Sequence, residues 1–186
     1  AYTGLRFALA HPDRVTSLVA ASGGSGSFPD TRAHFLEETR ALADTILDRN
    51  SLNLPGFASS ATRIQLKLKN PKGWTEFANH FVEHSPMGSA YTLRRVQAGR
   101  PSLYDLETEL AAMTTPTLLM IGDEDEPCID TNIFLKRTMP SAGLVTFPKA
   151  GHLINLEDPA AFNEAIDDFH AALSAECWHL RDANTT

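Results

Sequence analysis

The sequence predicts an α/β fold with a mostly parallel sheet, flanking helices and a helical insertion. Three observations carry this reading. Two short apolar runs, Thr117-Leu118-Leu119-Met120-Ile121 and Leu144-Val145-Thr146-Phe147, are separated by enough chain for a right-handed helical crossover, which makes them parallel neighbours. A third apolar run, Val15-Thr16-Ser17-Leu18-Val19-Ala20-Ala21, lies between an amphipathic segment and a glycine-rich loop, the usual alternation of an α/β sheet. Between these parts, residues 29–100 carry helical spacing with no strand-like run.

Taken in order, Leu5, Ala8 and Leu9 form one helical stripe, and His11-Pro12 ends it because a residue before proline is pushed out of the helical region. The strand at 15–21 stops at Ser22-Gly23-Gly24-Ser25-Gly26-Ser27, a loop suited to the end of a sheet. Phe35-Leu36, Leu42 and Ile46-Leu47 recur at helical spacing, and further helical pieces surround Ile64 to Leu68 and Trp74 to Ala78. Pro55-Gly56, Pro71-Lys72-Gly73 and Pro86-Met87-Gly88 punctuate them. Leu103, Leu106, Leu110 and Met113 suit an amphipathic helix, and Asp130 can cap a helix over 131–138 that Met139-Pro140 stops. Phe162, Ile166, Phe169 and Leu173 give the last helix one apolar face, and from Ala175 onward the chain reads as a frayed tail. The expected organisation is a core of residues 1–28 and 101–175, a helical cap of residues 29–100, and a tail of residues 176–186.

Composition narrows the function. The 186 residues carry a formal charge of -7 and no Lys/Arg cluster, so a nucleic-acid surface, which needs a concentrated basic stripe to displace counterions, is not expected. No apolar stretch is long enough to cross a bilayer, so no membrane partner is expected either. Two cysteines, Cys128 and Cys177, lack Cys-x-x-Cys spacing and are too few for a disulfide framework; they read as reduced thiols of a cytoplasmic protein.

Two residues stand where chemistry is expected. In an open parallel sheet, ligands bind beyond the carboxyl ends of the strands; Asp125 follows one apolar run there and His152 follows the next. A buried carboxylate that fixes the tautomer of an imidazole, and an imidazole that takes a proton from a hydroxyl, are two members of an acyl-transfer relay. Asp123, two residues earlier, is the rival acid and would otherwise satisfy the backbone of its turn. Glu124 and Glu126 read as solvated. His80-Phe81-Val82-Glu83-His84 fits the H-x-x-E-H zinc pattern, but no third ligand is marked and so short a match arises easily by chance. Ser85-Pro86-Met87-Gly88 looks like half of a nucleophile turn, yet no strand precedes it. No metal is expected.

The stretch Ile121-Gly122-Asp123-Glu124-Asp125-Glu126-Pro127, the loop Pro148-Lys149-Ala150-Gly151-His152-Leu153-Ile154-Asn155-Leu156-Glu157-Asp158-Pro159 and the opening Ala1-Tyr2-Thr3-Gly4-Leu5 to Val15 together resemble the C-terminal two thirds of a capped, esterase- or lipase-like α/β-hydrolase-fold protein. The resemblance spans the whole chain and implies that Asp125 is the acid, His152 the base, and Leu153 a substrate contact facing the cleft. It also implies a serine in a G-x-S-x-G turn a few residues before Ala1, on an N-terminal segment of the same protein that carries further strands of the sheet. The function expected is therefore hydrolysis of a small or medium carboxylic ester, with no cofactor. Phe28, Trp74, Phe77, Phe81 and Tyr91 are candidates for an apolar pocket beneath the cap. A carbon-carbon bond hydrolase of the same fold and a non-catalytic hydrolase-like binding subunit stay open as alternatives.

Overall fold

A computed structural model of the chain describes residues 1–57 and 60–182. Its sheet contains β1 (Leu18–Ala21), β2 (Thr117–Gly122) and β3 (Ala142–Phe147) in that spatial order, all parallel. β2 is central and every one of its residues is buried, which is why it reads as an unbroken apolar run rather than an alternation.

Side chains on β2 alternate between two cores, as the two-residue period of a strand requires. Leu119 points with Ala20 into a layer closed by Leu5 and Ala8 of helix α1 (Tyr2–Ala10) and by Leu135 and Met139. Leu118 and Met120 point the other way, against Phe147, Ile154 and Phe169. Burying each such side chain contributes roughly 1.5–3 kcal/mol, so this three-strand sheet is held mainly by its two faces.

Between β1 and β2, the described residues form helices only. α2 (Pro29–Arg49) buries Thr39, Ala43 and Ile46, one stripe at helical spacing, and ends at Asn50 in the left-handed conformation (φ 45°), where its N–H bonds the Ile46 and Leu47 carbonyls. α3 (Ile64–Lys69), α4 (Pro71–Val82) and α5 (Pro86–Tyr91) follow, and α5 runs into a π-helical stretch, Thr92–Gln97. Ala43, Ile46, Leu52 and Ala90 give this region a core of its own. After it come the short α6 (Glu107–Ala111), α7 (Glu126–Thr138), α8 (Ile154–Glu157) and α9 (Pro159–Ser174).

Several sequence expectations need correction. The first strand has four residues, because Val15 still closes the 3-10 turn Pro12–Arg14 through its N–H to the Pro12 carbonyl. The helix expected from 103 to 113 is a 3-10 turn, Tyr104–Leu106, followed by the single turn of α6. α7 starts at Glu126 rather than after Asp130: Pro127 is compatible with a first helical turn, where its missing N–H costs nothing.

The expected frayed tail is docked through Arg181, while residues 183–186 lie outside the described residues. Trp178 stacks edge-on against Phe169 with centroids 4.6 Å apart, and its indole N–H donates to the Ser141 carbonyl at 2.8 Å. Arg181 adds bonds to the Pro140 and Lys136 carbonyls at the same end of β3. Gly143 makes room, since a methyl there would stand 2.4 Å from the indole ring.

Candidate active site

The turn after β2 places Asp125 at the N-cap position of α7, yet its side chain caps nothing there. Its Oδ2 accepts a hydrogen bond from His152 Nδ1 at 2.8 Å. The carboxylate is fully buried, whereas the imidazole is 36% exposed. With the carboxylate ionised, Nδ1 carries the proton, so the neutral ring offers Nε2 as its acceptor. Asp125 Oδ1 is buried with no hydrogen-bond partner among the described residues, and the Cys128 thiol lies beside it.

Asp123 plays the other part open to it: its Oδ1 accepts from the Ala150 N–H at 3.2 Å and so holds the histidine loop to the β2 turn. Glu124, expected to be solvated, instead accepts from Gln65 and from Lys149, which joins α3 to the same turn because both donors converge on one carboxylate. Glu126 is exposed. Gly122 permits the closest approach. A methyl there would fall 2.2 Å from the Ala150 carbonyl oxygen and 2.3 Å from that of Gly151.

Three restraints fix the backbone around His152. Its own N–H donates to the Thr62 carbonyl at 2.7 Å, a bond to the helical region between β1 and β2. The Glu157 carboxylate accepts from Gly151 N–H at 2.6 Å and from Leu153 N–H at 3.2 Å. Glu157 is 7% exposed, so both bonds are shielded from water. Leu153 is half-buried, at the N-cap position of α8.

Sequence reasoning missed Glu157 and Thr62. Thr62 acts through its backbone, which no residue type signals. Glu157 precedes Asp158, whose side chain caps α9 by accepting from Ala161 N–H, and two adjacent acids before Pro159 read alike until burial separates them.

The remaining candidates resolve locally. α4 ends at Val82, so His80 and His84 do not share a helix face; His80 Nδ1 meets Glu83 at 3.2 Å and His84 Nδ1 meets the Phe81 carbonyl at 3.0 Å. Ser85 caps α5 by accepting from Gly88 N–H. Among the described residues, the group of three that could together hold a metal is Asp125, Cys128 and His152. Burial first, then the Asp125 charge and contact, push the Cys128 thiol far up. Of the aromatic pocket candidates, Phe81 lines a cavity within the helical region, Phe28 lines other cavities with Tyr104 and Phe35, and Tyr91 is exposed.

A family model described as the alpha/beta hydrolase family matches residues 1–165. The chain belongs to the alpha/beta hydrolase family. Among alpha/beta hydrolase relatives, it is 28% identical over 177 residues to a Bacillus subtilis protein provisionally named 2-succinyl-6-hydroxy-2,4-cyclohexadiene-1-carboxylate synthase, covering 88% of this chain and 60% of that protein. It is also 28% identical over 179 residues to the 2-hydroxy-6-oxononadienedioate/2-hydroxy-6-oxononatrienedioate hydrolase of Cupriavidus pinatubonensis, covering 90% of this chain and 58% of the relative. The chain thus spans less than two thirds of the length of either relative. A solved thermophilic esterase from Thermogutta terrifontis superposes with a TM-score of 0.73 at 25% identity, over 92% of this chain and 61% of the esterase.

Proposed function

We propose that the chain carries the acid and the base of a serine hydrolase that cleaves a small or medium carboxylic ester, and that the serine comes from an N-terminal segment of the same protein. The single observation that carries this is the Asp125–His152 bond, with a buried carboxylate behind a ring whose other nitrogen is open. In this reading Nε2 takes the serine proton as the hydroxyl attacks the ester carbonyl, then returns it to the leaving alcohol. Water hydrolyses the acyl-enzyme by the same proton path, and Asp125 stabilises the imidazolium at both stages. No cofactor enters this chemistry.

The position of α1 supports the origin of the serine. Ala1 packs against Gly23, where an added methyl would lie 2.4 Å from the Ala1 Cβ, and the neighbouring Ser22 carbonyl faces Cys128 Sγ at 3.8 Å. Residues preceding Ala1 would therefore enter at the end of the sheet where Asp125 lies. The helical region of residues 29–100 is read as a cap over the site, with Leu153 against the substrate. Among the described residues no helix is long and apolar enough to cross a membrane, and free Cys128 and Cys177 suit a reducing, cytoplasmic setting.

The name of the Cupriavidus relative favours a second reading, carbon-carbon bond hydrolysis, which would use the same pair. Treating the full-length protein with a fluorophosphonate probe and locating the label by mass spectrometry tests the proposal. A labelled serine upstream of Ala1, and ester turnover lowered on the order of 10⁴-fold or more by His152→Ala, are expected. Absence of any labelled serine would leave the hydrolase-like binding subunit as the answer, and near-normal turnover in the variant would remove His152 from the chemistry.

A further inference from the structure

The helical region holds a cavity of about 510 Å³ with apolar walls, among them Ile46, Leu52, Phe57 and Phe81; Arg63 and Gln97 line it together with the polar side chains of His84, Ser85, Ser89 and Thr92. That size suits a small organic molecule. Arg63 is half-buried, and among the described residues no carboxylate pairs with it. Its Nη1 donates to the Phe57 carbonyl at 2.9 Å and to Ser60 Oγ at 3.2 Å, which fixes the guanidinium in place. The charge lies 5.7 Å from the Phe57 ring centroid and 5.2 Å from that of Phe81. Such ring contacts return only part of what a cation loses on leaving water. Burial accordingly pushes the guanidinium below its ordinary value, with no neighbouring charge to oppose it.

A second group lining the cavity is unsatisfied. Gln97 Oε1 is buried with no hydrogen-bond partner among the described residues. A half-turn about the last side-chain bond presents the amide NH₂ instead, so this residue can donate to an anion held in the cavity. Gln97 closes the π-helical stretch Thr92–Gln97, and such stretches recur at functional sites because they displace a side chain from the regular helical face.

We propose that this cavity binds the carboxylate of an acid-bearing, otherwise apolar substrate, with Arg63 and Gln97 on the carboxylate and Phe57 and Phe81 against the hydrocarbon. A guanidinium fork matches a carboxylate geometrically, and a cavity already paved with aromatic rings favours the hydrocarbon next to it. The assignment rests on the hydrolase reading for its link to turnover. That link is short: Arg63 directly follows Thr62, whose carbonyl holds the His152 N–H. The selected substrates would be half-esters or keto-acids of modest size, their scissile bond toward His152 and their free acid toward Arg63.

Binding and turnover are measured separately, on the full-length protein. In the first arm, phenylacetate and the neutral phenylacetamide are titrated calorimetrically into the His152→Ala variant, so that chemistry plays no part. Phenylacetate is expected to bind about tenfold or more tightly than the amide, and Arg63→Gln to weaken it by about tenfold or more, the scale of a hydrogen-bonded charge lost. Ser89→Asp, which puts an internal carboxylate into the same cavity while keeping Arg63, is expected to weaken phenylacetate similarly. Equal affinity for acid and amide, no binding of either, or indifference to both substitutions would overturn the assignment. In the second arm, kcat/KM is compared for a half-ester and its neutral diester. A preference for the half-ester that Arg63→Gln abolishes supports the proposal. Turnover of both esters without preference defeats the cavity and spares the hydrolase reading, whereas phenylacetate binding with no ester turnover does the reverse.

Discussion

Glu157 and His152 are joined through the peptide groups on either side of the imidazole: one buried carboxylate accepts from both Gly151 N–H and Leu153 N–H. The histidine side chain is oriented by Asp125, and its backbone by Glu157. On the proposed function Glu157 is thus a positioning residue. Glu157→Ala strands two shielded donors at about 1–3 kcal/mol each. The expected result is a clear fall in the denaturant midpoint together with a lower kcat, and Glu157→Gln, which keeps one acceptor oxygen, should fall between. Equal kcat in all three proteins would show that the clamp serves folding alone.

Gly122 sets how near the histidine loop can come to β2. With a methyl at that position meeting two carbonyl oxygens inside 2.5 Å, backbone must move. Gly122→Ala is expected to open the loop, lengthen the Asp125–His152 bond and lower turnover by on the order of 10²-fold, as displacement of a reacting group by about an ångström does. Crystal structures of the variant and steady-state kinetics check both parts.

Cys128 gives a pH signature. Burial and the adjacent Asp125 raise its thiol well above the ordinary 9.0, so above that pH the unfolded chain releases a proton that the folded chain retains. Fewer protons on the unfolded state mean that stability falls as pH rises past about 9. Cys128→Ala is expected to flatten this decline relative to the parent protein in denaturant titrations from pH 8 to 10. In the native protein at pH 8, iodoacetamide should label the exposed Cys177 and spare Cys128, read by mass spectrometry.

The docked C-terminal segment makes a stability claim. Trp178 covers Phe169 and Gly143 and donates to Ser141, so Trp178→Ala is expected to cost about 2–4 kcal/mol, below or near the low end for a fully buried tryptophan. Chemical denaturation measures it. A cost under roughly 0.5 kcal/mol, typical of surface positions, would show that the segment rests on the core without supporting it.

The meeting of the Asp125 and His152 side chains and the parallel pairing of β2 with β3 were legible because each rests on local pattern: an apolar run, a turn and a residue type suited to the strand end. The tail was not, since a tryptophan amid polar residues reads as exposed until Gly143 opens a seat for it from 35 positions away. Arg63 escaped notice for the same reason. Its significance lies in a carboxylate partner missing in space, whereas sequence shows only that a basic residue is present. The start of α7 was misplaced because Asp130 looked like a cap, while Pro127 already fits a first turn.

The bond from His152 N–H to the Thr62 carbonyl ties the proposed base to the residue that precedes Arg63 in the wall of the aromatic cavity. On the proposed function, remodelling the turn at 60–63 for bulkier guests is expected to shift the imidazole too, setting breadth of substrate against speed of turnover. Double-mutant cycles pairing Arg63 with Glu157 should accordingly be non-additive in kcat, although the two side chains share no direct bond.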